Sequence, residues 1–120
     1  MTGHTYAIMA ALWMLTVVGC GSHPAPTDRV VNAEAALRGA SEVGAGQIPR
    51  AALHLKLAEE QIEKAQRLVQ DGYNQRAELA LRRAQADAEL ALSIAREHQT
   101  IEKLRIAQQS LDKLKAQYGR

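Results

Sequence analysis

Small apolar residues recur at intervals of three and four along two long stretches of this chain. Leu55, Ala58, Ile62, Ala65 and Val69 form one series; Ala77, Leu81, Ala84, Ala88, Ala91 and Ala95 form the other. An α-helix brings residues three and four apart onto one face, whereas a strand alternates every two. Both stretches therefore predict helices, each offering a narrow seam to a partner helix. Alanine lets two helix axes approach to the low end of about 8–10 Å. It also buries little area, so modest stability is expected. Alanine supplies 22 of the 120 residues, and aromatic side chains only 3%, with no Phe. That balance argues against a large aromatic core and against a deep ligand pocket. Almost no run of Val, Ile or Thr follows Val31, which argues against an all-β fold. The predicted class is all-α: a three-helix bundle, or a long antiparallel helical hairpin with a preceding short helix, behind a signal peptide.

The helix ends can be read from local chemistry. The first helix is predicted over residues 28–42, with Thr27 or Asp28 as its cap and Val30, Ala33, Leu37 and Ala40 on its buried face. Val43 to Ile48 breaks the pattern, and Gly44 suits the left-handed turn after a helix. The second helix is predicted over residues 49–70, opening on Pro49, whose missing N–H costs nothing in a first turn. Asp71-Gly72-Tyr73-Asn74 is the sharpest turn signal, with Gly72 ending one helix and Asn74 capping the next. So short a connection joins antiparallel neighbours. The third helix is predicted over residues 75–117. Opposite charges four apart, such as Lys56 with Glu60, Glu63 with Arg67, Glu78 with Arg82 and Arg83 with Asp87, line the solvent faces. Each pair adds about 0.2–0.5 kcal/mol.

The N-terminus carries a different signal. Tyr6 to Val18 is an uncharged apolar run, too short for the roughly 20 residues of a bilayer span. It matches the apolar core of a secretory signal peptide. The run leads into Val17-Val18-Gly19-Cys20, which resembles the lipobox of bacterial lipoproteins. That resemblance implies cleavage between Gly19 and Cys20, a diacylglyceryl thioether on Cys20, and acylation of the new amino group. Cys20 is the single cysteine, so no intramolecular disulfide competes for its thiol. Two or more acyl chains give stable membrane anchoring. The expected organisation is a signal peptide over residues 1–19, a lipidated cysteine and flexible tether over 20–27, and an alanine-rich helical domain over 28–118. By analogy with enteric lipoproteins, the absence of Asp after Cys20 implies the outer membrane, with the domain on its periplasmic face.

Ala51 to Ala65, then Asp71-Gly72-Tyr73, then Arg82 to Ala91 resemble the bacterial envelope lipoproteins grouped as domain of unknown function 4398. The resemblance covers about residues 28 to 100. It implies a small helical hairpin or bundle behind a lipid anchor, with no assigned reaction and so no catalytic residues. It also implies association with outer-membrane proteins of the OmpA class that grip peptidoglycan.

The chemistry-bearing residues assemble no reactive constellation. His54 and His98 lack a partner at helical metal-ligand spacing, and His54 is expected to face solvent. Ser41, Ser93 and Ser110 lack a Gly-flanked nucleophile elbow. No phosphate-binding Gly-rich loop is present. No catalytic, cofactor-binding or metal-ligating residue is expected. A formal charge of +2, from 15 basic and 13 acidic residues, is too balanced to imply nucleic acid. The second half of the third helix changes character: Leu90, Ile94, Ile101, Leu104, Leu111, Leu114 and Tyr118 form a larger apolar stripe. The second helix is half as long and cannot cover it. The first helix covers it, or another chain does, or part stays exposed. The expected function is a non-enzymatic, outer-membrane-anchored interaction module of the envelope, with Ile101, Leu104, Leu111, Leu114 and Tyr118 as its interaction stripe and an envelope protein as partner. The alternative is a self-associating coiled-coil spacer, motivated by the sevenfold spacing of Leu104, Leu111 and Tyr118.

Overall fold

The computed structural model describes residues 23–119. Three helices form there: α1 (Thr27–Glu42), α2 (Pro49–Gln70) and α3 (Asn74–Tyr118), with a short 3₁₀ turn at Ala45–Gln47 between the first two. No strand occurs among the described residues, and the fold is an all-α three-helix bundle.

Local sequence sets the helix ends. Pro49 is the first residue of α2, as expected. Gly44 and Gly72 take φ of 85° and 79°, left-handed values that a side chain disfavours. At the α2–α3 turn the Gly72 N–H donates to the Val69 carbonyl at 3.0 Å and the Tyr73 N–H to the Leu68 carbonyl at 2.8 Å. These two bonds make a Schellman motif and satisfy carbonyls that the helix end would otherwise leave free. The expected N-terminal caps are not formed. Helix α1 opens one residue early, with Pro26 at the cap position and no side-chain cap bond. Helix α3 opens on Asn74 itself, behind Tyr73 and again without a side-chain cap. The Asn74 amide is used elsewhere, as described below.

Among the described residues twelve of the sixteen buried apolar side chains are alanine, so the helices meet almost backbone to backbone. Two clusters result. The lower one joins Ala33 of α1 with Ile62 and Ala65 of α2 and Ala77, Leu81 and Ala84 of α3. The upper one joins Ala40 with Ala51 and Leu55 and with Ala91, Ile94 and Ala95. The end of α2 thus meets the start of α3, and the start of α2 meets residues 91–95, so the hairpin is antiparallel. Helix α1 runs the same way as α3. Leu37 packs against both clusters and bridges them. Leu81 is the largest fully buried side chain among the described residues, at 1% exposure.

Helix α3 runs unbroken for 45 residues, about 67 Å, and α2 is half that length. Packing on α3 stops at Ala95, and every residue from Arg96 to Gly119 is exposed except the half-buried Glu102. The last tie to the bundle is the Gln99 side-chain amide, donating to the Val43 carbonyl at 3.0 Å. From Thr100 onward the helix is a free arm about 28 Å long. Its own side chains support it: Arg105 meets Glu102 at 2.9 Å, and Leu, Lys, Gln, Arg and Ala, all good helix formers, dominate it.

Candidate functional site

Gly19 and Cys20, the predicted cleavage and lipidation residues, lie outside the described residues. The first described residue is His23, three positions on, and it is not loose. The Asn74 side-chain amide donates to the His23 carbonyl at 2.6 Å. His23 Nε2 lies 3.3 Å from Glu78 Oε2. Glu78 also meets Arg82 at 2.7 Å, one turn along α3, and Arg29 of α1 at 3.7 Å. Its bonds from Arg82 and His23, with both arginine charges nearby, hold its carboxyl below the usual glutamate range. The segment expected to be a flexible tether is therefore clamped, from His23 onward, to the first turns of α3. A shallow groove of about 520 Å³ lies beside the clamp, lined by His23, Gln75, Arg76, Glu78, Leu79 and Arg82. Arg76 lies 5.5 Å from the centre of the Tyr73 ring next to it, a cation–π contact.

His54 does not face open solvent. Its Nδ1 lies 3.0 Å from Asp87 Oδ1, and both side chains are about three-quarters covered. Asp87 was expected to pair with Arg83 within its own helix; the pairing instead crosses from α3 to α2. It pins the hairpin register between the two apolar clusters. His98 lies apart from it, beside the α1–α2 loop. Among the described residues no group of three or more His, Cys, Asp or Glu side chains could hold a metal ion.

The apolar stripe divides. Ile94 belongs to the upper cluster, at 8% exposure. Leu90 is 41% exposed, and Ile101, Leu104, Leu111, Leu114 and Tyr118 are exposed by half or more. Neither α1 nor α2 covers them. Helical geometry gives the reason. At about 100° per residue, the packed seam from Ala77 to Ala95 keeps to one face of α3. Leu104, Leu111 and Tyr118 fall roughly 180°, 160° and 140° round the helix from Ala77. Ile101 and Leu114 flank them. Leu104, Leu111 and Tyr118 thus face away from the bundle, and a longer α2 would not have reached them; Ile101 keeps nearly the phase of the packed Ile94 and is exposed because the other helices end short of it. Leu79, exposed by half, and Leu90 lie on this same outer side. Leu79 and Ile106, also half exposed, were missed when the stripe was read from spacing alone. Counting angle from Ala77 finds both: Leu79 on the outer face, and Ile106 on the bundle face beyond the reach of the other helices.

No helix among the described residues is long and apolar enough to cross a membrane. The family model for the domain of unknown function DUF4398 matches residues 28–105, from the start of α1 into the arm. That is well over half of the chain, and the chain belongs to this family. No curated protein and no solved structure matches it.

Proposed function

We propose that this member of the DUF4398 family is a lipid-anchored, non-enzymatic interaction module of the bacterial envelope. Cys20 holds it at the periplasmic face of the outer membrane, and the arm of α3 makes its contacts. The arm carries this reading. A helix that leaves its bundle and displays Leu104, Leu111, Leu114 and Tyr118 at half exposure or more presents a contiguous apolar face to water. Such faces mark interaction sites. The apolar run ending in Gly19-Cys20 supports the anchor, because it has the length of a signal-peptide core and not of a span. A second reading, a self-associating spacer, draws on the sevenfold spacing of Leu104, Leu111 and Tyr118.

Labelled-palmitate incorporation with cell fractionation tests the anchor. The wild-type chain takes up label and pellets with membranes, and Cys20→Ala loses both. Equal labelling of the variant refutes the anchor. Affinity capture from envelope membranes tests the arm. A specific partner, whether another protein or an untagged copy, is retained by wild type and lost by Leu104→Asp/Leu111→Asp. Identical recovery by both chains refutes the role of the stripe.

A further inference from the structure

We propose that the arm's occupant is a second copy of this chain, paired parallel and in register. This rests on the lipid-anchor reading above and adds the partner and its orientation.

The seam is built for a like helix. Leu104, Ala107, Leu111, Leu114 and Tyr118 follow intervals of three, four, three and four, the a and d positions of two heptads. They lie opposite the face that packs on α1 and α2, so a partner helix meets no obstruction from the bundle. In the parallel arrangement Lys103 faces Gln108 of the other copy, and Ser110 faces Lys115. No like charges oppose across the seam.

The clamp at His23 selects the direction. His23 is tied to Asn74 and Glu78 at the start of α3, and it lies three residues from Cys20. Three extended residues span at most about 10 Å. The start of α3 therefore stays near the lipid, and an arm that stands off the membrane carries its far end away from it. Two copies anchored in one membrane present their arms side by side, pointing the same way, with identical residues at the same height.

The size of the seam explains why the anchor matters. Leu104 to Tyr118 spans about 21 Å, and four large side chains per copy fall short of the roughly 1,200 Å² that a stable free interface buries. Confinement to a membrane raises the effective concentration and makes such a contact sufficient. The seam also has a lower limit. One heptad below Leu104 stands Glu97, which a parallel partner would set against its own Glu97. Like charges set against each other across an interface are unfavourable, so the arms zip together above Thr100 while the bundles stay apart.

Cysteine cross-linking in the anchored full-length chain tests this. The Cys20 thioether leaves no free thiol, so an introduced cysteine reports alone. Ala107→Cys and Tyr118→Cys, oxidised in membranes of cells grown with labelled palmitate, each give labelled disulfide dimers. A disulfide requires Cα atoms within about 7 Å. Lys113→Cys, on the bundle-side phase of the arm, does not. Adding Leu111→Lys lowers the dimer yield of Ala107→Cys at least about tenfold, the change expected for loss of one buried leucine contact. Labelled chain that stays monomeric at Ala107→Cys overturns the pairing and leaves the anchor standing. Dimers at Ala107→Cys but not at Tyr118→Cys overturn the parallel register. Equal dimer at Lys113→Cys marks random collision, and cross-links to a different protein mark a different occupant; both overturn the proposal. Unlabelled chain overturns the anchor and the orientation drawn from it.

Discussion

Leu81→Ala removes the one large side chain that is fully buried among the described residues, at 1% exposure. It sits in the lower cluster among Ala33, Ala65, Ala77, Ala80 and Ala84, with Ile62 facing it. The cost of such a truncation depends on how far the surroundings collapse. Leucine-to-alanine changes in well-packed cores span about 2.7–5.0 kcal/mol, rising with the cavity left behind. The buried neighbours are mostly alanine, which has no rotamer to swing into a void, while Ile62 and the partly buried Val30, Leu37, Leu68 and Val69 can close only part of it. Most of the cavity therefore persists, and the loss falls within that range, about 3–5 kcal/mol. Urea unfolding of the domain from Gly21 onward, followed by circular dichroism at 222 nm, measures it. With a slope of about 1–2 kcal/mol per molar urea for a domain of this size, the midpoint drops by about 1.5 M or more. Leu104→Ala is the control: the same deletion in the same helix, on the exposed arm. It stays within about 0.5 kcal/mol of wild type. Equal losses for the two variants, or a loss at Leu81 under about 1 kcal/mol, would refute the view that the lower cluster holds the bundle together.

Three further outcomes follow from the same packing and electrostatics. Ala88→Leu inserts a large side chain where α3 is fully covered, forcing the helices apart at a cost of at least about 1–3 kcal/mol; an unchanged urea midpoint would contradict the close approach. Gly72→Ala places a Cβ at a φ of 79° with nothing within 4 Å. It therefore loses about 1–2 kcal/mol from backbone strain alone, whereas a stability equal to wild type would contradict the left-handed turn. Glu78 has a lowered pKa in the folded chain, mainly from Arg82 and His23. The unfolded chain binds more protons between the two pKa values, so stability there rises with pH. The clamp's contribution is complete above the ordinary glutamate pKa of about 4.3 and disappears as pH falls through the lower folded value. Urea midpoints of wild type and Glu78→Gln should differ at neutral pH and converge in acid; a difference constant with pH would contradict this.

Much of the architecture was already legible along the chain. Pro49, Gly44 and Gly72 occupy the predicted turn positions, α2 has its predicted ends, and the alanine series are the buried seams. Each of these depends on interactions within about one helical turn: a missing N–H, a left-handed φ, or side chains stacked three and four apart. The caps were misread because Asn74 is as able to bond a distant carbonyl as its own helix, and His23 offers one 51 residues away.

What the sequence determined alone is, to within a residue, where helices start and stop and which face of each is apolar, because those properties are set by neighbours along the backbone. What the tertiary structure decided is which faces find a cover. Asp87 turning to His54 rather than Arg83, the tether fastened to Asn74 and Glu78, and the stripe from Leu104 to Tyr118 left facing outward all depend on the placement of other helices. Burial and cross-helix hydrogen bonds belong to pairs of elements, and only the packed bundle brings those pairs together.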